Sequence, residues 1–537
     1  MSSKIRPFFQ ILFLILTVVF VLFFPLFLGF PPTSAKDVSG KQDINGDGTF
    51  FEISKGPGEN WLTYHGDYRA TRHSPLSQIN AKNVKELSPR WIYNVRGADQ
   101  LRTTPIVFGG RIYFVANNIL YSLDASSGKS LWRWEDYPEK DLTLNRGVAL
   151  WGDNIYFVSY DCRLVAINAQ TGKLVWIRQY APDGLGYYST GAPLALKDKI
   201  ILGVAGGHNG TRGFLAAFSP SDGVELWRFW TVPLPGERAY ETWGGFDTRR
   251  GGAATWLTGS YDQGLNLLYW PTGNPWPNFD ASDRPGDNLY SNSVLAINPD
   301  NGKLVWHFQF TPNDAHDWDS AEPLILVDEY WGSLTLGSHW IEKPRKLLMQ
   351  ANRNGFFYVL DRETGEFLLG KPFVRKLNWA KGLDARGRPI RNPGMESPVT
   401  SGEGMCPWIR GATNWMSSSY NPKTKLFYVV AVEQCGSDRG QYFLKAINPY
   451  SSDIVWEHAM TGPVNMAAGT LSTAGGLVFA GDDSGHLIAL DAGNGDLLWR
   501  FQTGRALFAS PMTFAVSDRQ YVAIAAGSGI FVFSMFD

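Results

Sequence analysis

Two carboxylates, Asp317 and Asp319, have the spacing in this sequence that most strongly suggests chemistry. They lie in TPNDAHDWD, residues 311–319, directly after an apolar run. In an extended segment alternate side chains point to the same side, so the two carboxylates would converge. A converging pair suits a hard cation, or a general base beside one. The alternative interpretation is a solvated Asp-rich loop.

The elements that must position these carboxylates are repeated strands. Seven segments share an alternating apolar run, a turn and a second short strand, which ends on Trp in six of them. Their final residues are Trp132, Trp176, Trp227, Trp306, Leu369, Trp456 and Trp499. A single unit cannot bury its apolar face alone, and Trp can fill the seam between stacked neighbours. With Trp91 counted as an eighth copy, the repeats predict an all-β, eight-bladed β-propeller.

Length and composition agree with this architecture. Eight four-stranded blades would use most of the 537 residues as one domain, from 61 to 537. The net charge of −1 and the lack of a long basic run give no reason to expect a nucleic-acid partner. The GxSxG and HExxH motifs and a Gly-rich phosphate loop are absent from the sequence.

Uneven repeat spacing indicates where function lies. The spacing is about 44 residues between Trp132 and Trp176, but far longer between Trp227 and Trp306. Extra length in a propeller goes into loops on a face, and such loops carry function. The long loops include polar, aromatic-rich stretches at 270–288 and 406–415.

The first 36 residues read as a targeting segment. Lys4 and Arg6 precede an apolar run over 7–30, and small residues follow at 33–35. This pattern predicts a cleaved export signal, with a retained inner-membrane anchor as the alternative. Either interpretation places the body of the protein in the periplasm or another exported compartment.

Residues 37–60 are interpreted as a linker. Asp43, Asn45 and Asp47 resemble the start of a calcium-binding loop, but Ser54 stands where a bidentate Glu is required. A solvated segment is therefore the better interpretation.

The three cysteines form no haem-attachment motif. CxxCH is absent, which excludes a covalently attached c-type haem as far as sequence can exclude it. In an exported protein Cys406 and Cys435 can close a disulfide, with Cα atoms under about 7 Å apart. Cys162 is expected to remain single and buried.

From Trp61 onward the sequence resembles the quinoprotein alcohol and methanol dehydrogenases of the type without a haem domain. The family consists of eight-bladed propellers that use pyrroloquinoline quinone (PQQ) and a metal ion. The resemblance rests on WLTYHGDYRATRHSPLSQINAKNVKELSPRW at 61–91, NRGVALWGD, RGFLAAF, TGNP, RPGDNLYS, ANRNGFFYVLDR and TAGGLVFAGDDSGHLIALD. These motifs occur in order over more than 400 residues.

The resemblance implies a catalytic and metal-binding set. Asp317 would be a metal-contacting catalytic base, and Asp319 a second carboxylate typical of lanthanide-using members. Asn274 would bind the calcium or lanthanide ion through its carbonyl oxygen, and Arg353 would lie near the reactive quinone carbonyl. Taken singly, such residues also occur as ion-pair partners or in turns.

The resemblance also implies a cofactor-binding set. Trp256 would form the aromatic floor under PQQ, although a Trp alone can equally fill a blade seam. Polar groups of PQQ would contact the remaining members of this set, which are Arg146, Thr190, Gly206 and Asn414.

The sequence departs from the family at the position of His208, where a carboxylate metal ligand is expected. Neutral imidazole is a poor ligand for calcium or a lanthanide. Arg102 replaces a common Glu beside the cofactor, so both residues have uncertain roles. Further departures are Lys140 and Asp141, at the position of an adjacent cysteine pair, and Ala205, Ala254 and Ala467, where larger or hydrogen-bonding residues are common.

Two functions follow as hypotheses. The first is an exported PQQ-dependent dehydrogenase that oxidises a small alcohol and passes electrons to a separate cytochrome c. The second is a non-catalytic exported propeller that serves as a scaffold or binding module. Asp317, Asn274 and Arg353 favour the enzyme, whereas His208 favours the scaffold.

Overall fold

The computed structural model describes residues 46–136, 144–336, 339–397, 404–462, 468–482 and 484–536. The targeting segment at 1–36 lies outside these ranges, as do Lys140, Asp141 and Ala467. None of the helices in the described ranges has the length and apolar character needed to cross a membrane.

The segment 37–60 is not simply a linker, because helix α1 (Gly46–Lys55) occupies part of it. Ile53 on this helix is buried, and the Phe50 ring lies 5.5 Å from the ring of Tyr68. An apolar helical face therefore packs on the propeller, and the interpretation as solvated chain is wrong for these residues. The one-turn 3-10 helices in the described chain are Val84–Glu86, Gly207–Asn209, Tyr240–Trp243 and Thr248–Arg250.

Eight blades, each with a four-stranded antiparallel sheet, form the described part of the chain, and one of these sheets carries a fifth, parallel strand. This arrangement confirms the predicted fold. Two strands precede the first complete blade and are β1 (His73–Ser74) and β2 (Ser88–Asn94). Blade 1 consists of β3 (Ile106–Phe108), β4 (Arg111–Ala116), β5 (Ile119–Asp124) and β6 (Ser130–Trp134). Blade 2 consists of β7 (Ala149–Trp151), β8 (Asn154–Val158), β9 (Arg163–Asn168) and β10 (Leu174–Gln179). Blade 3 consists of β11 (Leu194–Leu196), β12 (Lys199–Gly203), β13 (Phe214–Phe218) and β14 (Glu225–Trp230). Blade 4 consists of β15 (Ser260–Asp262), β16 (Leu267–Pro271), β17 (Ser293–Ile297) and β18 (Leu304–Gln309).

The second half of the ring follows the same plan. Blade 5 consists of β19 (Ile325–Leu336), β20 (His339–Ala351), β21 (Phe356–Asp361) and β22 (Phe367–Pro372). A two-stranded hairpin follows it, formed by β23 (Ala380–Leu383) and β24 (Pro389–Arg391). Blade 6 consists of β25 (Ser419–Asn421), β26 (Leu426–Glu433), β27 (Gln441–Ile447) and β28 (Ile454–Ala459). Blade 7 consists of β29 (Leu471–Thr473), β30 (Leu477–Gly481), β31 (His486–Asp491) and β32 (Leu497–Gln502). The remaining strands are β33 (Met512–Val516), β34 (Arg519–Ala526) and β35 (Gly529–Ser534).

The two ends of the described chain meet in blade 8. The early strand β2 pairs antiparallel with β35 and completes the sheet of β33, β34 and β35, while β1 pairs parallel with β29 of blade 7. Pairing between the first and last parts of the described chain therefore closes the ring of blades.

Tryptophans fill the seams between blades, as the repeats predict. Trp227 ends one repeat, is 9% exposed, and donates its indole N–H to the carbonyl of Pro299 in the next blade at 2.7 Å. Its ring lies against Gly302, where φ is +71° and an added Cβ would come within 2.6 Å of the ring. The turn therefore needs Gly both for its backbone conformation and for the approach of the ring. Trp176, Trp456 and Trp499 are similarly buried, whereas Trp132 and Trp306 are half-buried.

The connections between strands place the predicted residues on one face. In an antiparallel four-stranded blade, the loop from the second to the third strand leaves the same end as the connection to the next blade. His208, Asn274 and Arg353 lie in loops of the first kind, and Trp256 and Asp317 lie in connections of the second kind. First strands of neighbouring blades, such as β7 and β11, contact one another and surround the centre of the ring.

Candidate functional site

Asp317 and Asp319 lie in the connection between β18 and β19, and both are buried. This connection is not a strand, and Asp317 adopts a left-handed backbone conformation with φ of +64°. The buried carboxylate of Asp314 accepts hydrogen bonds from the backbone N–H groups of His316 and Trp318 at 2.9 and 3.0 Å. The expected convergence is present, but a folded loop ordered by Asp314 produces it rather than strand alternation.

The two carboxylates are joined to two cationic side chains. His208 Nε2 lies 2.7 Å from Asp317 Oδ1, and Arg353 Nη1 lies 3.1 Å from Asp319 Oδ2. Arg353 Nη2 is also 3.8 Å from Asp317 Oδ2. One potential ligand atom from each of His208, Asp317 and Asp319 lies within 4.8 Å of the others. These three residues therefore offer ligand atoms that could hold a metal ion.

Hydrogen bonding and burial shift two pKa values in this cluster. The contact with Asp317 raises the pKa of His208 to about 9, against the opposing effect of burial. Burial raises the pKa of Asp319 above its ordinary value, because a charged carboxylate loses solvation there. The backbone N–H of Asn274 donates to Asp319 Oδ1 at 2.9 Å and favours the charged form.

Asn274 presents one kind of side-chain atom to a ligand. Its amide nitrogen donates to the carbonyl of Pro275 at 2.9 Å and to Asn278 Oδ1 at 3.2 Å. The carbonyl oxygen is then the atom left for a cation, and a hard cation prefers such an oxygen.

Two backbone carbonyls of the loop at 406–412 orient Arg353. Its Nε donates to the carbonyl of Arg410 at 3.2 Å, and its Nη2 donates to the carbonyl of Ile409 at 3.1 Å. Gly411 adjoins the same side chain, and a Cβ added there would lie 2.1 Å from Arg353 Cγ. The loop at 406–412 therefore fixes the direction in which Arg353 meets Asp319.

A cavity of about 180 Å³ lies beside this cluster. Its lining includes many residues predicted from the sequence, which are Arg102, Arg146, Thr190, Gly206, His208, Trp256, Asn274 and Asp319. Ala205 and Ala254 also line it. Asp317 and Arg353 are not among the lining residues, but they contact His208 and Asp319, which are.

Arg146 lies between two tryptophans of the cavity. Its Cζ is 4.7 Å from the ring centroid of Trp256 and 4.7 Å from that of Trp415. Nη1 donates to the carbonyl of Thr190 at 3.2 Å, whereas Nε is buried without a hydrogen-bond partner in the described chain. Burial lowers the pKa of Arg146 to about 10. A flat anionic ligand would stack on the aromatic rings and pair with the guanidinium.

Asn414 is a further predicted residue that does not line the cavity. Its side-chain oxygen accepts a hydrogen bond from the backbone N–H of Trp415 at 2.8 Å. Asn414 therefore adjoins the site through Trp415, and a direct contact with a cofactor remains a prediction.

Two buried residues of the site were missed in the sequence. Trp415 follows Asn414 directly, and its place outside the repeat positions was the available signal. Glu322 is 2% exposed and lies three residues after Asp319, with Oε2 3.5 Å from Asn352 Nδ2. Burial raises the pKa of Glu322 well above its ordinary value. Its burial follows from the folding of the loop, and such folding leaves no periodic pattern of apolar residues in the sequence.

The cysteine predictions are confirmed. Cys406 and Cys435 form a disulfide with Cα atoms 4.5 Å apart, and Cys162 is single and buried. The disulfide links the start of the loop at 406–412 to the segment directly after β26.

Comparison with known proteins places these features in a family. A family model described as PQQ, glucose/ethanol/alcohol dehydrogenase, beta-propeller domain, matches residues 61–370 and 448–522. Quinoprotein alcohol dehydrogenase PedH of Pseudomonas putida is 38% identical over 513 residues, covering 85% of this chain and 84% of that protein. The 1-butanol dehydrogenase (cytochrome c) of Thauera butanivorans is 36% identical over 543 residues, which cover 88% of this chain and 75% of that protein. A structure of a europium-containing methanol dehydrogenase has a TM-score of 0.82 at 29% identity, and the match covers 90% of this chain and 99% of that one.

Proposed function

Because the chain belongs to the family of PQQ-dependent alcohol dehydrogenases, we propose that it oxidises an alcohol at the central cavity, with Asp317 as the base. The observation that carries this proposal is the placement of Asp317, Asp319 and Asn274 beside a cavity lined by Arg146 and Trp256. One loop within blade 4 and three connections between blades carry these residues.

The cavity residues fit PQQ, a flat aromatic molecule with carboxylate groups. Arg146 has a buried Nε without a hydrogen-bond partner among the described residues, and a carboxylate would supply one. Trp256 offers a ring face for stacking. Thr190 and Gly206 line the same cavity and would contact the cofactor's polar groups, with Asn414 adjoining them through Trp415.

The oxygen donors beside the cavity fit a hard cation. Asp317, Asp319 and the Asn274 carbonyl would hold calcium or a lanthanide, since both prefer oxygen ligands. A structural relative is named as containing europium. His208 is a nitrogen donor with a poor match to these ions, so it would line the site without binding the metal.

Asp317 would accept the proton of the reaction, and Arg353 would orient the groups around it. The alcohol would lose its hydroxyl proton to Asp317 and a hydride from the adjacent carbon to the cofactor, which leaves an aldehyde or ketone. Arg353 would hold Asp319 in place and face the reacting carbonyl of the cofactor. When bound, PQQ supplies the two-electron acceptor and the cation polarises it.

Electron transfer to a separate cytochrome c is part of the proposal. The chain lacks CxxCH, so it has no attachment site for a c-type haem of its own. The name of the relative from Thauera butanivorans includes cytochrome c as its acceptor. The charged and apolar pattern over 1–36 supports export or anchorage at the inner membrane.

Reconstitution of the purified protein tests the proposed function. Apo-protein would be titrated with PQQ in the absence of metal, with calcium and with lanthanum, and binding would be followed by the absorption spectrum. We expect a shifted cofactor spectrum and alcohol-dependent reduction of an artificial dye after metal addition. A protein that leaves the PQQ spectrum unchanged under all three conditions would contradict the proposal.

A further inference from the structure

Arg102 is a cavity side chain to which the family comparison assigns no role. It lies in the connection between β2 and β3 and lines the same cavity as Arg146 and Thr190. Its Nε is buried and lacks a hydrogen-bond partner within the described residues. Its Cζ lies 5.8 Å from the ring of Trp415, which also contacts Arg146.

Among the described residues, the charges that line this cavity are unbalanced. Arg102 and Arg146 are both partly or fully withdrawn from solvent, and burial lowers the pKa of each. The carboxylate of Asp319 also lines the cavity, but it is already paired with Arg353 at 3.1 Å. Buried cations without an acidic partner are unfavourable, so two such arginines indicate an anionic ligand.

We propose that Arg102 binds a carboxylate group inside the central cavity, as a second cation beside Arg146. The proposal rests on the proposed function. The carboxylate has two sources in this setting, which are the cofactor and an alcohol substrate that carries an acid group. A guanidinium offers a planar set of donors that matches a carboxylate through two parallel hydrogen bonds.

The cofactor arm of the test measures the Kd for PQQ by absorption titration of apo-protein. Arg102→Gln removes the charge, Arg102→Lys retains it without the planar donor pair, and Arg96→Gln removes an exposed charge from the same connection as a control. If the cofactor supplies the carboxylate, Arg102→Gln raises the Kd by about tenfold or more, and Arg102→Lys raises it by less. Arg96→Gln should leave the Kd unchanged.

The substrate arm compares 4-hydroxybutanoate with 1-butanol, which share a four-carbon chain and differ by the carboxylate. If the substrate supplies the carboxylate, Arg102→Gln raises KM for 4-hydroxybutanoate by about tenfold. In that case the KM for 4-hydroxybutanoate rises more than the KM for 1-butanol, so the ratio of the two KM values changes. Thermal unfolding of each variant verifies that the fold is retained.

Separate results overturn this proposal and the proposed function. If wild type binds PQQ, and Arg102→Gln alters neither its Kd nor the ratio of the two KM values, then Arg102 binds no carboxylate while the proposed function stands. Equal losses in Arg102→Gln and Arg96→Gln would also overturn the role of Arg102. If wild type binds no PQQ, the proposed function fails and this proposal fails with it.

Discussion

At the scale of single residues, His208 most clearly distinguishes this chain from the pattern of its family. It occupies the position of an expected carboxylate ligand, and its Nε2 lies 2.7 Å from Asp317. Asp319 supplies a carboxylate on the other side of the cluster and is tied to Asn274. We therefore propose that the oxygen donors bind the metal and that His208 lines the site without binding it.

Substitution of His208 tests this assignment. His208→Glu should tighten calcium or lanthanum binding by about tenfold or more, because it adds a hard oxygen ligand and a negative charge. His208→Gln should not weaken metal binding, because it removes a cation from beside Asp317 and no ligand from the metal. Isothermal titration of PQQ-loaded protein with each metal measures both effects. A tenfold weakening in His208→Gln would show that the imidazole is a ligand.

At the scale of structural elements, the loop at 406–412 orients Arg353 within the site. It meets Arg353 through two backbone carbonyls and is tied down by the Cys406–Cys435 disulfide. Gly411 is the point of closest approach, since a Cβ there would overlap Arg353.

Gly411→Ala should therefore displace Arg353 and lower kcat by at least about tenfold, since small displacements at a reacting centre are costly. Gly394→Ala is a matched control, because Gly394 has a similar φ of +80° but nothing within 4 Å of an added Cβ. Both variants carry the strain of a left-handed Ala, and only Gly411→Ala contacts the site. Equal kcat values in the two variants would contradict the role of the loop. The shift in the bound PQQ spectrum would register displacement independently of turnover.

Strand β1 introduces a pH dependence of stability through His73. Burial lowers the pKa of His73 from 6.5 to about 4, and its Nδ1 lies 2.9 Å from Ser472 Oγ of blade 7. Between these pH values the unfolded chain binds a proton that the folded chain does not. Stability from this residue is therefore present above pH 6.5 and is lost as the pH falls toward 4.

His73→Gln should reduce the slope of unfolding free energy against pH by up to about 1.4 kcal/mol per pH unit in this window. Denaturant unfolding at a series of pH values measures the slope for wild type and variant. An unchanged slope would show that His73 has the same proton affinity in both states.

At the scale of the whole molecule, the ring depends on the seam where the two ends of the chain meet. Trp499 of blade 7 donates its indole N–H to the carbonyl of Leu87 at 3.0 Å, immediately before β2. Trp499→Ala should lower the free energy of unfolding by about 3–5 kcal/mol, because it opens a cavity at this seam. Phe51→Ala, on an exposed side chain of α1, should cost less than 1 kcal/mol. Similar losses in the two variants would contradict a special role for the seam.

The blades could be predicted from the sequence, because each repeat brings back the same pattern of apolar residues and most repeats end on a Trp that packs between blades. The disulfide and most of the cavity residues also agree with expectation. Helix α1 was missed because its short apolar face gains its partners, such as Tyr68, only in the folded ring. Glu322 and Trp415 were missed because their burial depends on folded loops, which have no period in the sequence.

The central claim is that Asp317 acts as a base beside a PQQ site, and the most direct test is dye-coupled alcohol oxidation by Asp317→Asn. Wild type and variant would be compared at equal PQQ occupancy, verified from the absorption spectrum, with calcium or lanthanum present. The account predicts that Asp317→Asn binds PQQ but oxidises primary alcohols at least about a hundredfold more slowly, because the amide cannot accept the proton. A variant that retains wild-type turnover would contradict the account. A PQQ-loaded wild type that oxidises no alcohol would instead favour a non-catalytic propeller.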